Sequence, residues 1–224
     1  MVTINYIAKY YIFPLGKAIA KLLKNTPATP NSVTLFRALM GLSAAVLLYQ
    51  NGFIYRLIFA AAVIMFYAID VTDGILAGLK NMRTKFGEWI DGVCDKIVMD
   101  IWVLNIAIAN YLQTKEIIFI IAASVYFLGK HLYIFASLRS DICFQNHTED
   151  KLKKQLKQNL FSRLLLFFVE WDIQIHFLVI ASLINMNYLF LFFYAAYFNV
   201  IWVSYIAYYF LKYLKEEHNE ISRK

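Results

Sequence analysis

The sequence predicts an all-α integral membrane protein: six transmembrane helices around a polar cavity open to the cytoplasm, preceded by an interfacial amphipathic helix. Three observations carry this prediction. Of the 224 residues, 61% are hydrophobic, well above the ~45–50% of an ordinary globular domain. The apolar residues fall in long runs broken by short polar turns. At roughly 20 residues per crossing of a ~30 Å hydrocarbon core, the length holds one bundle of about six spans and no soluble domain of ordinary size. Four aspartates also stand where two neighbouring apolar runs meet. Acids are costly at such depth and mark a polar cavity.

Residues 1–32 read as an arm and a turn. Within 3–25, Lys17, Lys21 and Lys24 share one helical face and Ile12, Leu15, Ile19 and Leu22 another, the pattern of a helix lying in the interface. Pro14 suits the first turn of its basic half. No small-residue cleavage site follows a clean apolar run, so this is not a cleavable signal peptide. A Pro-containing turn from Thr26 to Ser32 leads into the membrane domain, residues 33–211, with Asn31 or Ser32 as the helix cap. Spans are expected at about 33–50, 54–79, 87–112, 117–138, 164–184 and 188–211. A charged loop studded with Lys151, Lys153, Lys154 and Lys157 covers 139–163. The charged tail, 212–224, is expected to fray.

The net charge is +7, and it is distributed unevenly. The turns near 51–56, 113–116 and 185–187 hold only Arg56 and Lys115, whereas nearly all other Lys and Arg fall on the arm, the 80–85 turn, the 139–163 loop or the tail. By the positive-inside rule both termini and the aspartates face the cytoplasm, across the cell inner membrane in a prokaryote. Nucleic-acid binding is excluded because no soluble basic module exists to carry it; membrane lipid is the partner of these cations. Cys94 and Cys143 form no disulfide framework, and the lone His131 and His176 lack zinc-ligand spacing.

The organising stretch is Asp70–Asp95, DVTDGILAGLKNMRTKFGEWIDGVCD. Asp70 and Asp73 are three apart and Asp91 and Asp95 four apart, so each pair shares one helix face. Folding the segment into an antiparallel hairpin about position 82 brings Asp73 level with Asp91 and Asp70 level with Asp95. Four carboxylates in low dielectric repel or protonate unless cations sit among them. Oxygen-only ligands favour hard divalent ions such as Mg²⁺, Mn²⁺ or Ca²⁺. For each acid alone, an ion pair with Arg37, Lys96 or Lys130 is the competing explanation.

Asp70, Asp73, Gly74, Ala77, Gly87, Asp91 and Asp95 together form DxxDGxxAx(9)GxxxDxxxD, which resembles the signature of the CDP-alcohol phosphotransferases, integral membrane enzymes of phospholipid synthesis. Thr29-Pro30-Asn31-Ser32-Val33-Thr34 with Arg37 is similar to the TPNxxTxxR opening of that family's first span. The resemblance implies transfer of a substituted phosphate from a CDP-linked lipid donor to an alcohol acceptor with release of CMP. It implies Asp70, Asp73, Asp91 and Asp95 as ligands of Mg²⁺ or Mn²⁺, two ions to a site. Asp95 doubles as the catalytic base for the acceptor hydroxyl. Thr34, Arg37, Gly74, Ala77 and Gly87 would then bind the nucleotide, and Arg139 and Arg163 are candidates for an acceptor's phosphate. Members of the family commonly dimerise through their membrane helices, so a homodimer is a further expectation.

One position departs from the pattern. The family's arginine after the alanine is Gly78 here, and Lys80 or Arg83 is the candidate to replace its charge. Gly74 and Gly78 also fit a small-xxx-small helix-packing contact. Two other classes of function stay open at this point. An intramembrane prenyltransferase also uses paired aspartates and Mg²⁺, but needs more spans and lacks this Gly-Ala spacing. The other is a metal-binding membrane protein or transporter, or a catalytically silent relative, and Gly78 supports the last of these. The acceptor alcohol (inositol phosphate, glycerol phosphate, serine or an amino alcohol) and the lipid donor are not specified by these residues.

Overall fold

The structure, a computed structural model, describes residues 7–144 and 167–221. Seven α-helices and no strand occur among them: α1 (Ala8–Leu23), α2 (Pro30–Ala44), α3 (Phe53–Leu79), α4 (Lys85–Thr114), α5 (Ile118–Phe144), α6 (Trp171–Leu183) and α7 (Asn187–Ile221). A 3₁₀ turn, Ala45–Tyr49, extends α2. Four segments are long and apolar enough to cross a membrane: Pro30–Tyr49, Phe53–Leu79, Ile118–Ser140 and Asn187–Leu211. Helix α4, at 30 residues, has the length but carries charges through its first half. Helix α6 has only 13 residues, about 20 Å at 1.5 Å per residue.

The chain divides into two units, 1–116 with 167–190, and 117–166 with 191–224. In the first unit α3 is central, packed by α1, α2 and α6, while α2 also packs on α4. Its core joins α2, α3 and α4 through Trp102. The indole Nε1 donates to the Gly41 carbonyl at 2.7 Å, and Phe59 and Phe66 meet the ring edge-to-face at 5.9 and 5.1 Å. This satisfies the one polar atom of a fully buried indole while using its apolar area. A Cβ on Gly41 would lie 2.7 Å from Val98 and 2.8 Å from Phe66, so a larger residue would spread the three helices.

Helix α1 lies along the domain and packs on α3. Ala8, Ile12, Gly16 and Ala20 are its buried stripe, whereas Leu15 and Leu22 are exposed, Leu22 by 77%. Small residues win because they let two backbones approach: a Cβ on Gly16 would stand 2.9 Å from the Ala68 carbonyl oxygen of α3. In a membrane such close packing replaces the hydrophobic effect as the driving force. Pro14 lies inside the helix rather than at a start. The N-terminus of α1 is held by Asp172 of α6, which is fully buried and accepts from the backbone N–H groups of Ile7 at 2.7 Å and Ala8 at 3.2 Å. A carboxylate there satisfies orphan donors and opposes the helix dipole.

The cap of α2 is Thr29, not Asn31 or Ser32. Ser32 is instead its capping-box partner: Ser32 N–H donates to Thr29 Oγ1 at 3.2 Å, and Thr29 N–H to Ser32 Oγ at 3.0 Å. Pro30 takes the first helical position, where its missing N–H costs nothing.

The second unit contains α5 and most of α7. Asn199 donates to the Val125 carbonyl at 2.8 Å and lies against Gly129. Tyr126 meets Phe198 edge-to-face, and Ser140 and Tyr205 share a hydrogen bond of 2.6 Å. Two expected boundaries differ. The fifth apolar helix begins at Trp171, after a turn in which Glu170 N–H donates to the Phe167 carbonyl; 164–166 lie outside the described residues. The last helix runs on to Ile221 rather than stopping at 211, because the tail's Lys, Leu and Glu are good helix formers and no Gly or Pro interrupts them.

Candidate metal and nucleotide site

Three helix ends build the site, all within the first unit. Helix α3 brings Asp70 and Asp73 on its last three turns, and α4 brings Asp91 and Asp95 on its first three. The 80–84 connection makes the hairpin. Asn81 takes a left-handed φ of 55°, a conformation Asn tolerates. Thr84 caps α4 by accepting from Gly87 N–H at 2.9 Å. Lys80 ties the hairpin to the turn before α2, donating to the carbonyls of Thr26 at 2.7 Å and Ala28 at 2.6 Å.

Carboxylate oxygens of Asp70, Asp91 and Asp95 all lie within 4.8 Å of one another. Asp73 is set apart from that trio and accepts from Thr34 Oγ1 at 2.7 Å. The predicted convergence therefore resolves into three acids plus one that is hydrogen-bonded to α2. Arg37 of α2 reaches into the trio with its side chain fully buried. Its Nη1 pairs with Asp70 Oδ1, its Nη2 with Asp91 Oδ1 at 2.6 Å, and Nη1 again approaches Asp95 Oδ1 at 2.8 Å. The guanidinium lies 4.7 Å from the Phe66 ring, a cation–π contact that fixes its plane.

One guanidinium cannot balance four carboxylates. With all acids ionised the five groups sum to −3, that is, four negative charges and one positive. Asp95 Oδ1, although near Nη1, is buried and receives no hydrogen bond of acceptable geometry. A cluster of oxygen donors, excess negative charge and an orphaned buried carboxylate oxygen is what a hard divalent cation fits. Asp70, Asp91 and Asp95 are the residues placed to hold it.

The remaining predicted residues fall as follows. Gly74 is exposed, and a Cβ there would meet nothing within 4 Å, so the helix face one residue beyond Asp73 is open. Gly92, beside Asp91, is equally open, and the sequence reading passed over it. Ala77 is half-buried. A Cβ on Gly87 would lie 3.0 Å from Asn31 Oδ1 and 3.1 Å from Thr84 Oγ1, so this glycine lets α4 start close under α2. Gly78 makes no helix-packing contact among the described residues. What lies over it is Arg83, whose Nη2 would be 3.3 Å from a Cβ there. Lys80 is engaged with carbonyls, while no ion pair or side-chain hydrogen bond engages Arg83 among the described residues. Arg139 is exposed and belongs to the second unit; Arg163 lies outside the described residues.

The model of the CDP-alcohol phosphatidyltransferase family matches residues 27–202, which takes in all three helix ends of the site. The chain belongs to this family. Two curated relatives, both phosphatidylinositol phosphate synthases, are similar to part of it: that of Corynebacterium glutamicum at 39% identity over 80 residues and that of Mycobacteroides abscessus at 30% over 79. Each match spans 35% of this chain and 35% of the relative. The chain thus shares a family with phosphatidyltransferases and about a third of its length with these two relatives, and four of its segments are long and apolar enough to cross a membrane.

Proposed function

We propose that this protein transfers a phosphatidyl-type group from a CDP-linked lipid to an alcohol acceptor, releasing CMP, and that it does so with bound Mg²⁺ or Mn²⁺. The observation that carries the reading is the trio Asp70, Asp91 and Asp95, whose oxygens lie within 4.8 Å of one another on helix ends inside the family match. Divalent cations held there would neutralise the diphosphate and the departing CMP.

The chain's own residues have distinct tasks. Thr34 holds Asp73 in place, and Arg37 orients Asp70 and Asp91. Asp95, with an oxygen free of hydrogen bonds, takes the proton from the acceptor hydroxyl. The acceptor oxygen bonds to the lipid-bearing phosphorus, the bond from that phosphorus to the bridging oxygen breaks, and CMP leaves with that oxygen. The open face at Gly74 admits the nucleotide against backbone. Arg83 over Gly78 supplies the charge that the motif arginine brings elsewhere in the family. Inositol phosphate is the first acceptor to test, given the names of the two relatives.

The reading also places α4 and α6 with the four long apolar segments as a six-span bundle, with the aspartates and both termini on the cytoplasmic side. The test is CMP release by the purified protein in detergent, with CDP-diacylglycerol, Mg²⁺ or Mn²⁺ and a panel of alcohols. Metal-dependent release, stimulated by one alcohol and lost in a folded Asp91→Asn variant, is expected. Full activity in Asp91→Asn, or release of pyrophosphate from a prenyl donor instead, overturns it.

A further inference from the structure

A second polar site lies at the other end of the first unit. Arg56, in the first turn of α3, is 14 residues before Asp70, about 21 Å along the helix at 1.5 Å per residue. It lines a cavity of about 220 Å³ together with Gln50, Asn51, Gln113, Ser182 and Tyr188. That volume is far above the ~30 Å³ share of a single water. The cavity is built rather than incidental: the ends of α4 and α7 beside it are joined by a hydrogen bond from Asn110 to Asn187 at 3.1 Å.

Two of its groups lack partners. Arg56 Nε is buried and unbonded. The guanidinium forms no ion pair or side-chain hydrogen bond among the described residues, touching only the Phe53 ring at 5.9 Å. Ser182 is 2% exposed, and its Oγ also has no partner. Buried polar atoms are normally satisfied, and two orphans on the wall of one cavity point to a ligand that both would contact. No Asp or Glu lines the cavity, so the guanidinium is uncompensated. The other polar walls are neutral amides and hydroxyls. That combination selects an oxyanion with further oxygens around it.

We propose that this cavity binds a phosphate-bearing group, its oxyanion held by Arg56 and Ser182 and its other oxygens by Gln50, Asn51 and Gln113. The phosphate belongs either to a lipid headgroup of the adjoining leaflet or to a small phosphate in solution. The site is separate from the aspartates and does not depend on the proposed reaction.

The experiment is ligand-induced thermal stabilisation of the full chain in detergent with EDTA present, so that the net-negative aspartate site repels phosphate. The probes are inorganic phosphate, glycerol 3-phosphate and dioctanoyl phosphatidylglycerol. Saturable stabilisation by at least one of them is expected, with affinity reduced about tenfold or more in Arg56→Gln and severalfold in Ser182→Ala. Stabilisation by the lipid alone assigns the headgroup, and stabilisation by the soluble phosphates assigns the free anion. Should Arg56→Gln fail to fold, Ser182→Leu, which fills the cavity, must abolish the effect. No stabilisation by any probe, or equal affinity in the wild type and the folded variants, overturns the proposal.

Discussion

Replacing Arg37 by alanine separates the stabilising role of the guanidinium from the demand of the acids for cations. In the wild type one buried guanidinium contacts Asp70, Asp91 and Asp95. Removing one partner of a buried ion pair costs about 3–5 kcal/mol, because the other charge is left uncompensated. The three carboxylates keep side-chain exposures of 19, 37 and 19%, so water repays part of that, and the lower figure, about 3 kcal/mol, applies in EDTA. Loss of the Phe66 contact at 4.7 Å adds about 0.5–1 kcal/mol. A divalent cation should then recover much of the loss, since the freed oxygens stay within 4.8 Å of one another and ligand binding to the folded state stabilises it by mass action. Unfolding in detergent, followed with EDTA and with a Mg²⁺ or Mn²⁺ titration, reads both effects. The expected signature is a variant much less stable than wild type in EDTA, with a larger metal-induced stabilisation. Equal stability of the two proteins in EDTA, or a metal response no larger in the variant, would refute the electrostatic account of the trio.

Other perturbations probe the neighbouring elements. Arg83→Ala should raise KM for the CDP-linked donor about tenfold, the scale of one charge-assisted contact, while metal-induced stabilisation stays as in wild type; an unchanged KM would remove Arg83 from the nucleotide site. Thr34→Val leaves an oxygen of the buried Asp73 without its donor, a cost of about 1–3 kcal/mol, measurable by the same unfolding assay. Gly16→Val must push α1 off α3, because even a Cβ there would stand 2.9 Å from both the Ala68 carbonyl and Val71; a loss of about 1–3 kcal/mol is expected for such overpacking, and protease access at the arm should increase.

The aspartate hairpin was legible because its information is local. Spacings of three and four fix a helix face, and a turn residue fixes the fold-back, so Asp70, Asp91 and Asp95 could be placed together from their positions alone. The separate placement of Asp73 was not legible, since it depends on Thr34 of a third helix. Arg37 was legible as an ion-pair partner of these acids, and it is one; what its position did not give is that a single guanidinium would meet three of them. The side of α1 that packs on α3 was not read at all: Ile12, Leu15, Ile19 and Leu22 mark an apolar face for the interface, whereas the closest approach to α3 goes to Gly16. Small residues in an apolar helix are the signal that finds such a face. The polar end around Arg56 also left a trace, as Gln50, Asn51, Gln113 and Asn185 fall in turns at one end of the predicted spans. Reading turns only for their charge passed over it.

The carboxylate of Asp172 closes a loop of 165 residues by accepting from the Ile7 backbone, and this bears on where the protein can be cut. Similarity to the family begins at residue 27, which invites a shortened version starting there. Such a version would strip Ala8, Ile12, Gly16 and Ala20 from the flank of α3 and leave the buried Asp172 carboxylate without its two backbone donors. The segment outside the family match covers the helix that carries Asp70 and Asp73, so a version cut at residue 27 is expected to unfold at lower temperature than the full chain.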